Sequence, residues 1–159
     1  MPASRFLLIF SLAASVTFGQ YCDKIDQRDA DAILGGPAMP LGMGALGCSY
    51  SVRGKGARLT LTLSDEGANI KKIFDGLKQK TRASGWLAGD EPSLGNGAFG
   101  EWVKPGGKSP TGKCGFIAMK GSKLIQFYIS DSGGKGDVSS RRETLDKLRI
   151  IAKRVIDRI

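Results

Sequence analysis

The chemistry open to this chain is limited first by an absence: none of its 159 residues is His. No Ser-His-Asp or Cys-His nucleophile pair can form, nor a His-ligated zinc or an imidazole base. Carboxylates are the remaining acid–base candidates. Asp90-Glu91 is a neighbouring pair, and Glu101 stands beside Trp102, an acid–aromatic arrangement that occurs in sugar sites. A glycosidase needs two carboxylates about 5–10 Å apart across a cleft, and sequence neighbours on a loop seldom converge that way. Alternation sets Trp102 with Ala98 and Gly100 on the core side of a strand. Trp86, just after a helix-ending Gly85, is the better candidate for ligand contact. Ser and Lys are too common here for any Ser-Lys dyad to stand out.

Three glycine-rich stretches imitate phosphate sites. Gly42–Gly47 and Gly95–Gly100 both match G-x-G-x-x-G, but each precedes a strand, whereas a dinucleotide loop leads from a strand into a helix. Gly107–Cys114 falls one residue short of a P-loop, with Cys114 where the magnesium-binding Ser or Thr belongs. The residues after Cys114 are β-branched and aromatic, so no helix N-terminus faces a phosphate. With no Cys-x-x-Cys and no calcium-loop spacing either, the reading includes no metal, no cofactor and no catalytic residue.

The first 19 residues read as a secretory signal: Arg5, then the thirteen-residue apolar run Phe6–Phe18, then small residues that place cleavage before Gln20, with a cut after Ser15 as the alternative. A membrane span needs about 18 or more apolar residues, so no transmembrane segment is expected. Residues 20–159 then form one exported domain, periplasmic or secreted, and a monomer is expected. Without Arg5 it carries 23 basic against 15 acidic residues, a net charge of +8. Five lysines and no acid fall within 104–123, and seven basic residues against three acidic close the chain. Such a charge suits an anionic polymer or a protein partner in the envelope. Nucleic acid is not expected, for want of a recognisable motif. In an oxidising compartment two of Cys22, Cys48 and Cys114 should pair; Cys22 with Cys48 ties the N-terminus to the first strand, leaving Cys114 as a small buried apolar residue.

Positioning these groups falls to an alternation of helices and strands. A short helix follows Asp26 and ends at Gly35-Gly36-Pro37. A Gly-rich stretch, Leu41–Gly47, leads to a hairpin in which Cys48, Tyr50 and Val52, then Leu59, Leu61 and Leu63, alternate around Gly54-Lys55-Gly56. Ser64 should cap a second helix with Ile70, Ile73, Phe74 and Leu77 on one face. A loop through Asp90-Glu91-Pro92 precedes the strand Ala98–Val103. Lys104–Lys113 reads as a basic loop, and Gly115–Lys120 and Lys123–Ser130 as a hairpin about Gly121-Ser122. Ser140 and Glu143 form a capping box for a last helix whose apolar residues fall within an arc of about 140°, with Ile150 alone opposite. The order α-β-β-α-β-β-β-α predicts an α+β fold, an antiparallel sheet of five or six strands packed against helices.

Cys22-Asp23-x-Ile25, Asp29-Ala30, Ile33-Leu34-Gly35-Gly36-Pro37, Cys48-Ser49-Tyr50 and Pro92-x-Leu94-Gly95-Asn96-x-Ala98-Phe99 together resemble a family of small exported lipoproteins of unknown function, described mainly from actinobacterial cell envelopes. The resemblance covers most of the chain after the signal. It implies a PsbP-like layered fold and a Cys22–Cys48 disulfide, and it brings no catalytic residues. The chain departs from it in lacking a lipobox and in adding Cys114. The expected function is a non-catalytic binding or accessory domain of the envelope, using Trp86, Lys104, Lys108 and Lys113. The alternatives are a small hydrolase of wall sugar or peptide using Glu101 or Asp90/Glu91, and an inhibitor-like protein-partner module.

Overall fold

Period-two alternation in three long segments builds the centre of the molecule. In the computed structural model, which describes residues 21–43, 46–103, 112–131 and 142–159, β3 (Ala57–Asp65), β6 (Gly112–Lys120) and β7 (Lys123–Asp131) are nine residues each. β7 lies between the other two and pairs antiparallel with both along its whole length. β2 (Gly47–Ser51) and β1 (Met39–Gly42) extend the sheet beyond β3; β5 (Gly97–Val103) and β4 (Leu87–Asp90) extend it beyond β6. The result is one seven-stranded antiparallel sheet in the order β1-β2-β3-β7-β6-β5-β4.

Two of those strands correct the expectation of five or six. β1 reads Met-Pro-Leu-Gly and β4 reads Leu-Ala-Gly-Asp, four residues each and poor in β-branched types, so pairing to a formed neighbour rather than propensity makes them strands. The observed order is therefore α-β-β-β-α-β-β-β-β-α. Within it the class expected from the sequence holds: α+β, with a layered antiparallel sheet.

Helix α1 (Gln27–Leu34) starts where the Asp26 carboxylate accepts from the Arg28 N–H and ends where Gly35 takes φ 70°, a left-handed cap that disfavours other residues. Helix α2 (Ile70–Ala83) begins later than expected. Ser64 is not its cap but belongs to β3, because the strand keeps pairing with β7 through Asp65. The Asp65 carboxylate, held below its usual range chiefly by the Ser122 hydroxyl, accepts from the Gly67 N–H and turns the chain into a 3-10 turn, Gly67–Asn69. Helix α3 (Arg142–Asp157) buries Leu145, Leu148, Ile151, Ala152, Val155 and Ile156, while Ile150 stays 64% exposed. Its expected cap, Ser140, lies outside the described residues. None of the described helices is long and apolar enough to cross a membrane.

Residues opposite each other in paired strands share a face. Leu59, Leu61, Cys114, Phe116, Ile125, Phe127 and Ile129 thus form one face, covered by α1 and α3 in the larger core. The sulfurs of Cys22 and Cys48 lie at disulfide distance at its edge, with Cα atoms 5.0 Å apart. The other face carries α2. Phe74 meets Phe99 edge-on, ring centroids 5.2 Å apart, in a small cluster with Ile117 and Leu124. Helix α2 packs on β4, β6 and β7, leaving the β1–β3 half of that face without a described helix over it.

Candidate functional site

The acids singled out in the sequence are drawn to three different places. Asp90, last in β4, reaches Lys78 of α2 at 2.6 Å. Glu91, the next residue, turns to the opposite side of the sheet, where its two oxygens accept from Arg149 Nε and Nη2 of α3 at 2.9 and 2.7 Å. That pair, with Asp146, raises the Arg149 guanidinium further above its already high value. Asp90 and Glu91 therefore clamp one helix each and do not share a cleft. Glu101 is buried, 6% exposed, on the α2 face, and is ion-paired with Lys113.

Glu101 and Lys113 belong to a polar region that only the register reveals. Leu41, Ser49, Thr60, Tyr128, Gly115 and Glu101 lie directly opposite one another in successive strands, a transverse row on the α2 face. Gly115 has no room for a side chain, because a Cβ would run into the Phe127 carbonyl and Tyr128. The gap lets the Lys113 ammonium bridge the row, paired with Glu101 and 4.3 Å above the Tyr128 ring. Ser49 and Thr60 are buried, their hydroxyls 3.5 Å apart. Sequence reading missed Tyr128 and Ser49 as members of this face. The available signal was alternation in β7, where Gln126, Tyr128 and Ser130 interrupt Ile125, Phe127 and Ile129.

An open groove of about 550 Å³ runs along α2, lined by Asn69, Lys72, Ile73, Gly76, Leu77 and Lys80. Lys78 faces β4 through its pair with Asp90, and Ile73 and Leu77, on the other flank of the helix, pack partly buried against the Phe74–Phe99 cluster. The face is strongly biased in charge. Three acids on or beside α2, Asp75, Asp90 and Glu101, are each paired, with Lys71, Lys78 and Lys113. Arg58, Lys72, Lys80 and Arg82 are exposed and have no acidic partner among the described residues.

Of the binding surface expected from the sequence, Trp86 is 42% exposed at the end of the sheet, its carbonyl accepting from the Trp102 N–H at 2.8 Å. Trp102 packs partly buried against the larger core, as alternation predicted, with Arg142 over its ring at 5.6 Å. Lys113 stands two strands from Trp86 and turns to Glu101 and Tyr128. Lys104 and Lys108 lie outside the described residues. Cys114 is fully buried on the opposite face, its thiol pushed up to about 12 by burial first and by Asp131 and Glu101 second. Among the described residues no cluster of His, Cys, Asp or Glu could hold a metal ion.

No protein-family model, curated protein or solved structure matches this chain.

Proposed function

We propose that this chain is an exported, non-catalytic binding domain of the cell envelope that takes an anionic polymer on its α2 face. The observation that carries the reading is the charge asymmetry of that face: Asp75, Asp90 and Glu101 are internally paired, beside exposed cations with no ion pair to a described acid. Unpaired cations on a rigid surface attract a polyanion at little conformational cost, and the groove wall of Ile73 and Leu77 gives the bound chain apolar contact. Lys104 and Lys108 add charge after β5, and Trp86 supplies an exposed aromatic surface. The signal-like N-terminus, the resemblance to envelope lipoproteins and the Cys22–Cys48 pair support the address. The separation of Asp90, Glu91 and Glu101 supports binding over hydrolysis.

The test is retention on immobilised polyphosphate or polyglutamate across a salt gradient. The chain as exported should bind at low salt and be released by high salt, because screening weakens exposed charge contacts. Lys72→Gln/Lys80→Gln/Arg82→Gln should bind about tenfold more weakly, each exposed cation contributing up to about 1 kcal/mol. Thermal stability should be unchanged. Equal retention of the triple variant overturns the assignment. Turnover of a wall polymer that Glu101→Gln abolishes would replace it with the hydrolase.

A further inference from the structure

Residues 32–52 contain no charged side chain, although a quarter of the chain is charged. β1 lies within that stretch, at the edge of the sheet, and is exposed along its whole length; Met39, Leu41 and Met43 are 45%, 41% and 42% exposed. Register fixes their direction. Met39 is opposite Ser51, itself opposite Arg58, and Leu41 is opposite Ser49 and then Thr60. The apolar side chains therefore project on the α2 face, with Arg58 exposed two strands away, about 10 Å at the usual strand spacing. Arg53, in the turn after β2, is exposed as well. Among the described acids, Asp26, Asp23 and Asp31 act on Tyr50, on the opposite face, and Asp31 accepts from the Ala38 N–H just before β1.

An exposed apolar edge in an otherwise charged protein needs an occupant. An added strand is poorly served. Met43 donates its N–H inward to Gly47, so alternation turns Pro40 and Gly42 outward, and Pro40 has no N–H to give. A second copy would bring another set of the same cations, Arg58 and Arg53, to the interface and no described acid from this edge to pair with them. Apolar side chains flanked by cations, with acids turned away, match an anionic lipid surface instead, where the side chains enter the headgroup–acyl boundary and the cations meet phosphates. We propose that the β1 edge docks this protein on an anionic bilayer, Met39, Leu41 and Met43 inserting and Arg58 and Arg53 pairing with lipid phosphate. This goes beyond polymer capture: Met39, Leu41, Met43 and Arg53 play no part in the polymer reading, and only Arg58 is shared with it.

The experiment is co-sedimentation of the chain as exported, its N-terminus read by mass spectrometry, with vesicles of phosphatidylcholine alone or mixed with phosphatidylglycerol. Binding to the mixed vesicles and little to the neutral ones is expected. Met39→Gln/Leu41→Gln should weaken it about tenfold or more, from the apolar burial lost. Arg58→Gln should weaken it about fivefold, the effect of one cation at such a surface. Circular dichroism confirms that the variants fold. Absence of binding, equal binding to both vesicles, or wild-type binding by the double variant overturns the proposal. So does a dimer in sedimentation equilibrium that Met39→Gln/Leu41→Gln dissolves, which would make a second copy the occupant. In the α2 triple variant, unchanged polymer retention overturns the polymer reading alone, whereas wild-type vesicle binding by Met39→Gln/Leu41→Gln overturns this proposal alone.

Discussion

The two faces of the sheet are covered to different extents by helices of similar amphipathic design. On one, α1 and α3 close over Leu59, Leu61, Phe116, Ile125, Phe127 and Ile129, and the larger core fills the space between. On the other, α2 alone packs on a small cluster around Phe74 and Phe99 and stops short of β1–β3. The first face carries alternating apolar side chains across its central strands. The second changes, from β5 to β2, from Phe99 and Ile117 to Gln126, Tyr128, Thr60 and Ser49. Among the described residues no helix lies over that polar row, although Ser49 and Thr60 are themselves buried. The larger apolar core and the polar row thus lie on opposite sides of the same strands.

Neighbours on β7 give the hardest test of that division. Phe127 is fully buried on the closed face and Tyr128, next in sequence, is half-buried on the other. Phe127→Ala should cost about 3–5 kcal/mol in urea unfolding, from lost transfer energy and the cavity left behind. Tyr128→Ala should cost about 1 kcal/mol, mostly the cation–π contact with Lys113. Equal losses would mean that the polar row is core, and the division would fail.

Glu101 sharpens the comparison, because it is the buried acid of the half-open face. Glu101→Gln keeps the shape but leaves the Lys113 ammonium without its anion, an expected loss of about 1–3 kcal/mol in thermal or chemical unfolding. Lys113→Met/Glu101→Gln should recover much of that, since removing both partners spares the uncompensated charge. A Glu101→Gln variant as stable as the wild type would make this carboxylate something other than a structural counter-ion.

Legibility in the sequence divides along the same line. Features governed by one local rule are readable: the Asp26 cap and Gly35 stop of α1, the Gly54 and Gly121 hairpins, the inner stripe of α3 and the outward position of Ile150. Features that need a partner strand are not. Four-residue strands containing Pro or Gly carry no signal of their own, which hides β1 and β4 and makes Ser64 look like a helix cap rather than a member of the β3–β7 ladder. The candidate site suffers most. Glu101, Lys113 and Tyr128 are 12 and 15 residues apart, and what unites them is the register of β5, β6 and β7 together with the missing side chain at Gly115. The opposed directions of Asp90 and Glu91 likewise depend on Lys78 and Arg149, which sequence adjacency does not supply.

Cys114 supplies the smallest effect and the finest probe of how dry the closed face is. Its thiol is raised from 9.0 to about 12, chiefly by burial, so the folded chain holds that proton where the unfolded chain releases it. The sign is therefore fixed: stability is unaffected below pH 9 and falls as pH rises from 9 toward 12, because there the unfolded state binds fewer protons. Between pH 8 and pH 10 the loss should be about 1 kcal/mol, one pH unit of differential titration. The Tyr50 hydroxyl, also raised chiefly by burial, begins to contribute near its ordinary value of 10.0, at the top of that window. Urea midpoints at the two pH values, compared with those of Cys114→Val, isolate the term: the variant should lose the pH slope. A persistent slope would place the ionising group elsewhere. Rapid labelling of the native thiol at pH 8 would show that water reaches this core, which a buried, protonated Cys114 forbids.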